Sequence, residues 1–423
     1  MPAPGCRSKA FGLNTARQTG GKNAIIAPWA EYHREVRPSI PTRITSMALP
    51  PFDPLNQRAA ALRAQGHHVI SLGQALPFFP PPPVALAAAG AAVSRSDVNR
   101  YATDPGLLSL RTALALRLAP GGQEVGPDDL IITAGANHAF TLALLTMLTP
   151  GSEVVLPAPY FTNHEMAITA CGARPVEAPV ADTVGFAVRW EDIERALTQA
   201  TAAVVLCTPG NPTGAVIDAT EGTRIVSECA ARGLLVICDE TYLGFVYDGE
   251  AWSAASVPGW RENVIVVGTF SKSFGMMGWR VGFLLADARI CREATKVQDA
   301  MIICAPVISQ MMAEAAVRES WPYPLSFHDE LRAQRRVLAD GLASIPRITW
   351  MPARGGLFAF ARIDGCGDST QLSNDLLERA HVVTIPGAVF GRCGEGYLRL
   401  SYGYADSADL AEAVERLRRF FSA

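Results

Sequence analysis

Short, almost purely apolar runs, many of them rich in β-branched residues, recur from about Asp128 onward with helical patterns between them. They read LIIT (130–133), EVVL (153–156), AAVVLC (202–207), LLVIC (234–238) and VIVVG (264–268). Each is nearly continuous in apolar residues, as a strand buried on both faces must be. Between them stand NHAFTLALLTML (137–148) and ATEGTRIVSECAARG (219–233), the second ending on a glycine suited to a helix C-cap. Such alternation predicts an α/β domain with a mostly parallel sheet.

At 423 residues the chain exceeds what one small core usually spans, so a large and a smaller domain are expected. FFPPPP (78–83) and WPYPLSFHDE (321–330) interrupt the alternation with prolines and read as hinges. The expected division is a large domain over 96–329 and a small α+β domain built from 46–95 with 330–423. Residues 1–45 carry seven Lys/Arg against two Glu with little periodicity, and are expected to form an extended or disordered arm. Met47 follows it, so an overlong start and a cleaved targeting peptide both stay open.

The charge balance of 37 basic and 40 acidic side chains has no long run of one sign, which argues against nucleic acid as a partner. Nine cysteines without a CxxC pair, two of them inside the apolar runs, read as free thiols of a reducing cytoplasm. No apolar stretch reaches the roughly 18–20 residues of a membrane span. A small polar substrate and a cytoplasmic location, without membrane, nucleic acid or metal, are the expectations.

Three polar clusters follow three consecutive predicted strands: TPGNPTG (208–214), DETY (239–242) and TFSK (269–272). Asn211 to Asp239 is 28 positions and Asp239 to Lys272 is 33, close to the roughly 30 residues of a strand–helix–strand unit. That spacing sets the clusters side by side on the carboxyl edge of the sheet, where open α/β sheets bind ligands. Upstream, TAGANHAF (133–140) turns from a strand into a helix start, whose free amides and dipole suit a phosphate. Pyridoxal 5'-phosphate combines a phosphate, a ring nitrogen that pairs with a carboxylate and a carbonyl that condenses with a lysine.

On these motifs, in this order, the chain from about 70 to 415 resembles the class I/II aminotransferases of the aspartate aminotransferase superfamily. The resemblance implies the fold-type I architecture, a mostly parallel seven-stranded sheet flanked by helices. SKSFGMMGWRVG implies that Lys272 is the Schiff-base residue and Arg280 a phosphate ligand. TPGNPTG assigns Asn211 to the cofactor's phenolic oxygen, and VICDETY assigns Asp239 to the ring nitrogen and Tyr242 to the same oxygen. PAPYFTNH stacks Phe161 on the ring, and AGAN sets Gly135, Ala136 and Asn137 at the phosphate, with the Thr269 and Ser271 hydroxyls as further donors. YLRLSYG assigns Arg399 to the substrate's α-carboxylate, with Asn211 beside it. YATDPGLLSLR implies that Tyr101 reaches the phosphate of a neighbouring subunit, hence a homodimer with shared sites.

The residue chemistry agrees. A carboxylate at the pyridine nitrogen keeps it protonated, so the ring can take up electrons when the Cα–H bond breaks. A lysine that anchors the cofactor and then moves a proton needs a lowered pKa. An arginine meets a carboxylate through two parallel hydrogen bonds. Taken singly, Asp239 is an ordinary loop carboxylate, Phe161 a core aromatic and Lys272 a solvated lysine; their order and spacing together argue otherwise. His67, His68 and His138 receive no role.

One segment departs from the family. GQALPFF (73–79) has Ala75 where the family has a second glycine and Phe78 where it has an aspartate. The segment is expected to line the substrate pocket, Ala75 narrowing it and Phe78 adding apolar surface, and no second basic residue for a distal carboxylate is evident. The leading reading is an aminotransferase exchanging an amino group between an L-amino acid and a 2-oxo acid. The alternative is a lyase, cyclase or β/γ-replacement enzyme on the same cofactor. A pyridoxal-sensing DNA-binding regulator is disfavoured, because the N-terminal arm is too short for a folded module of about 60 residues.

Overall fold

A computed structural model describes residues 39–118 and 120–422. Its largest sheet has seven strands. In spatial order they are Leu130–Thr133, Gly282–Leu285, Val264–Thr269, Leu235–Asp239, Thr201–Cys207, Glu153–Ala158 and Arg174–Pro179. Gly282–Leu285 is antiparallel to both neighbours and every other pairing is parallel. The expected mostly parallel seven-stranded sheet is therefore present.

Alternation along each strand feeds two apolar layers. In Leu235–Asp239, Val236 and Cys238 join one hydrophobic cluster while Leu235 and Ile237 join the cluster on the other face. In Thr201–Cys207, Val204 and Leu206 oppose Ala203 and Val205 in the same way. Both faces are dry because helices cover both, which is why these segments lack the polar alternation of a half-exposed strand. The helix Ala219–Ala231 ends as its sequence suggests, with Gly233 at φ +67° beyond the C-cap.

A second, antiparallel sheet runs Ile385–Pro386, Tyr397–Ser401, Phe358–Ile363, Ile348–Thr349. Residues far apart in sequence are joined beside it, where Ile70–Ser71 pairs in parallel with Val382–Val383. The helices His328–Ala343 and Ser407–Ser422 pack against each other, burying Leu331, Leu338, Leu410 and Leu417 in one cluster. Of the expected arm 1–45, residues 1–38 lie outside the described residues; Thr42–Thr45 forms a single helical turn.

Candidate active site

The main sheet brings its carboxyl ends together. Cys207 pairs opposite Asp239, and Asp239 opposite Val267, two residues before the strand ends at Thr269. The three polar clusters therefore share one edge. Lys272 follows within the short helical turn Phe270–Ser273, which Thr269 caps by accepting from the Ser271 amide at 3.1 Å.

These residues surround a cavity of about 370 Å³. Of the residues singled out from sequence, its wall includes Ala75, Ala136, Asn137, Phe161, Asn211, Asp239, Tyr242, Thr269, Ser271, Lys272, Arg280 and Arg399. Gly135 stands just behind, at the N-cap of the helix Ala136–Met147 with φ +87°. A Cβ on Gly135 would collide with the Arg280 guanidinium, so only glycine lets the arginine reach the helix start. Tyr101 is not part of this wall; it is 77% exposed.

One end of the cavity is built for an anion. The first amides of Ala136–Met147 have no partner within their helix. Arg280 lies beside them, with Nη2 donating to the Ala134 carbonyl at 3.2 Å and Nη1 to Met277 O at 3.0 Å and, more weakly, to Ser271 Oγ at 3.5 Å. Thr269 Oγ1 donates to Ser271 Oγ at 3.0 Å. A phosphate matches this concentration of donors.

Asp239 occupies the middle. Burial alone would raise its carboxyl, but hydrogen bonding and charge from His164, with the hydrogen bond from Thr241, outweigh burial and hold it below the usual carboxylate range. Its Oδ1 accepts from Thr241 N at 2.9 Å, while Oδ2 meets His164 Nε2 at 3.0 Å. It therefore stays ionised at neutral pH, as a partner for a protonated ring nitrogen must. Lys272 lies under opposite pressure: burial first, then the Arg399 and Arg280 charges, pull its ammonium down to about 8. An appreciable share is thus a free amine near neutrality, fit for condensation with a carbonyl.

Arg399 lies on the strand Tyr397–Ser401 of the second sheet and is 3% exposed. Nη1 donates to Asn211 Oδ1 at 3.0 Å and Nη2 to Gly73 O at 2.6 Å, while buried Nε has no partner among the described residues. The rings of Phe52, Phe358 and Phe390 surround the guanidinium, whose Cζ lies 5.1–5.6 Å from their centroids. Burial pulls its pKa down to about 10. A buried cation whose acceptors among the described residues are all neutral is chemically suited to a carboxylate. Asn211, accepting with its oxygen, keeps its amide N–H groups for a second partner.

One expectation needs correction. Phe78 does not line the cavity: it packs edge-on against Phe79 and Phe327 at 5.7 and 5.6 Å. Phe79 stacks on Phe327 at 4.2 Å, so the two phenylalanines enter an aromatic cluster rather than the pocket. Phe52, Asp53, Asn56 and Gln74 line the wall instead. His164 was also not singled out. It is three positions from Phe161, but nothing local indicates that it pairs with a residue 75 positions away. His138 Nδ1 accepts from Ala134 N at 3.0 Å, a local turn contact.

The aminotransferase class I and II family matches residues 67–417. A probable N-acetyl-LL-diaminopimelate aminotransferase of Bacillus subtilis is 36% identical over 85% of this chain and 91% of its own length. A probable aspartate/prephenate aminotransferase of Aquifex aeolicus is 31% identical over 91% of this chain and 99% of its own. The solved aromatic aminotransferase of Pyrococcus horikoshii is 32% identical with a TM-score of 0.80, covering 87% of this chain and 98% of that one. With a matched region that contains Asn211, Asp239, Lys272 and Arg399, this chain belongs to the class I and II aminotransferases and is a pyridoxal 5'-phosphate-dependent transferase of amino groups.

Proposed function

We infer that the cavity around Lys272 is where this enzyme exchanges an amino group between an L-amino acid and a 2-oxo acid. One observation carries the reading: a lysine with a lowered pKa, an ionised buried aspartate and a buried arginine with no carboxylate partner among the described residues, from three separate elements, line one cavity. When bound, pyridoxal 5'-phosphate supplies a carbonyl that condenses with amines and a protonated ring that draws electrons from the substrate's Cα.

The chain does the rest. The Ala136 and Asn137 amides, the Thr269 and Ser271 hydroxyls and Arg280 would hold the phosphate, with Gly135 making the space. Asp239 would hold the proton on the ring nitrogen; Asn211 and Tyr242 would reach the phenolic oxygen and Phe161 cover one face. Arg399 grips the substrate's α-carboxylate and fixes the direction of its Cα–H bond. Lys272 Nζ would accept the substrate's Cα proton and hold it as an ammonium for redelivery, a task that its lowered pKa permits near neutrality.

We also read the enzyme as a cytoplasmic homodimer in which Tyr101 reaches the neighbouring site, a role consistent with its exposed ring. The second sheet forms the core of a smaller domain, 46–95 with 330–423, against a larger one over 96–329. Hydrophobic clusters that draw on both ends of the chain support this. The test is direct. Purified cofactor-loaded protein is mixed with each amino acid in turn, and the visible absorption and the 2-oxo acid product are followed. Release of ammonia with the cofactor left in its aldehyde form, or of a cyclised product, would overturn the reading.

A further inference from the structure

A second cavity, of about 400 Å³, shares the helical turn of Lys272. Ser271 and Lys272 line the cofactor cavity, whereas Phe270 and Ser273 of the same turn line this one. Its walls are mainly hydrocarbon and aromatic, with Leu243, Phe274, Phe283 and Trp321 among them. Sites for small organic molecules have this character: roughly 300–1,000 Å³, mostly apolar, with a few placed polar groups.

The placed polar group is Glu240. It directly follows Asp239, and the two carboxylates part company: Asp239 lines the cofactor cavity and Glu240 the second one. Ser253 Oγ and Ala254 N both donate to Glu240 Oε1, each at 2.9 Å. Otherwise the Cys238 thiol, a weak donor, lies against the carboxyl. An ionised carboxylate accepts about four hydrogen bonds, so Glu240 keeps capacity that the described residues leave unfilled. Burial lifts its carboxyl to about 7 against the pull of those hydrogen bonds. The two basic residues of the wall are engaged elsewhere. Arg117 Nη2 donates to Arg318 O at 3.2 Å on the exposed surface, and His328 Nε2 lies 2.8 Å from Gly244 O.

We propose that this cavity binds a small protonated amine with an apolar, aromatic tail, the N–H donating to the Glu240 carboxylate and the tail filling the space between Phe270, Phe274, Phe283 and Trp321. A cation there supplies the charge that Glu240 lacks, and the hydrocarbon leaves water. Thr269 lines both cavities, so occupancy bears on the turn that presents Lys272.

Calorimetric titration of the cofactor-loaded protein with N,N-dimethylphenethylamine tests this. A tertiary amine cannot form an imine with the cofactor. Saturable binding is expected. Glu240→Gln keeps an oxygen for Ser253 and Ala254 but removes the charge, and should weaken binding at least about ten-fold, the loss of a charge-assisted hydrogen bond. The neutral ether (2-methoxyethyl)benzene should bind the unaltered protein more weakly by a similar factor. Ala251→Trp, on the exposed rim, should block entry without changing the absorption of the bound cofactor, so the test stands even if Glu240→Gln folds poorly. Absence of binding at millimolar amine, or equal affinity for amine and ether, overturns the proposal. Binding that Ala251→Trp spares and saturating 2-oxo acid abolishes overturns it too, because the probe would then be in the cofactor cavity.

Discussion

His164 Nε2 lies 3.0 Å from Asp239 Oδ2 with both side chains buried. The imidazole is wedged between rings, with centroids 4.4 Å from Phe140 and 5.4 Å from Phe161, so its direction toward the carboxylate is set by packing. His164 thus positions Asp239 and favours its ionised form. His164→Leu should weaken cofactor binding by roughly ten-fold, the worth of a hydrogen bond to a charged group, with a much smaller change in KM for the amino donor. Asp239 is held low in the folded protein, so its interaction with a protonated ring is lost only on acidification; without His164 that loss should begin at higher pH. Cofactor titrations across acidic pH check this, and an unchanged profile would refute the positioning role.

Lys272 is pulled down to about 8, chiefly by burial. The nucleophile is the neutral amine, so covalent capture of pyridoxal 5'-phosphate by the apoprotein should rise through about pH 8 rather than through the ordinary lysine value of 10.5. Borohydride trapping followed by mass analysis of the Lys272 peptide measures it. Arg399→Met removes one of the charges that lower the pKa and should move the midpoint up. Lys272→Ala should abolish both the trapped adduct and turnover while the protein stays folded.

In the proposed role, Arg399 would hold a carboxylate by its fork, not its charge alone. Arg399→Lys keeps the charge and loses the second parallel bond, so KM for amino acids and 2-oxo acids should rise at least about ten-fold. Cofactor absorption should hardly change. Steady-state kinetics with both substrates decides it, and an unchanged KM would remove Arg399 from substrate binding.

Beyond Arg399 the wall carries Asp53, Asn56 and Gln74, and Arg280 stands at the anion end. Among the described residues of this wall no further cation awaits a distal carboxylate. Aspartate and glutamate should therefore be poorer donors, by kcat/KM, than amino acids with neutral polar side chains of similar size. Asp53→Asn should narrow that gap by removing a repulsive charge. A dicarboxylate preference in the unaltered enzyme would show that a cation from elsewhere completes the pocket.

Much of this was legible from residue order. The apolar runs had to be strands because both faces of the sheet are covered, and their spacing aligned Asn211, Asp239 and Lys272 on one edge. Less regular segments escaped. Arg174–Pro179 is a partly exposed edge strand without an apolar run, and Gly282–Leu285 turns back antiparallel straight after the lysine loop. Phe78 was misplaced because its neighbours in space, not in sequence, decide which way the ring points.

The amino-acid order by itself determined the α/β alternation, the strand-end clusters and the kind of cofactor they suit, since each depends on periodicity and chemistry within a few tens of residues. Tertiary structure alone decided that Arg399 meets Asn211 across 188 positions and Gly73 across 326, that His164 steadies Asp239, and that Glu240 opens into a second cavity. Those contacts arise only when distant segments pack, because burial and the directions of individual side chains are properties of the assembled core.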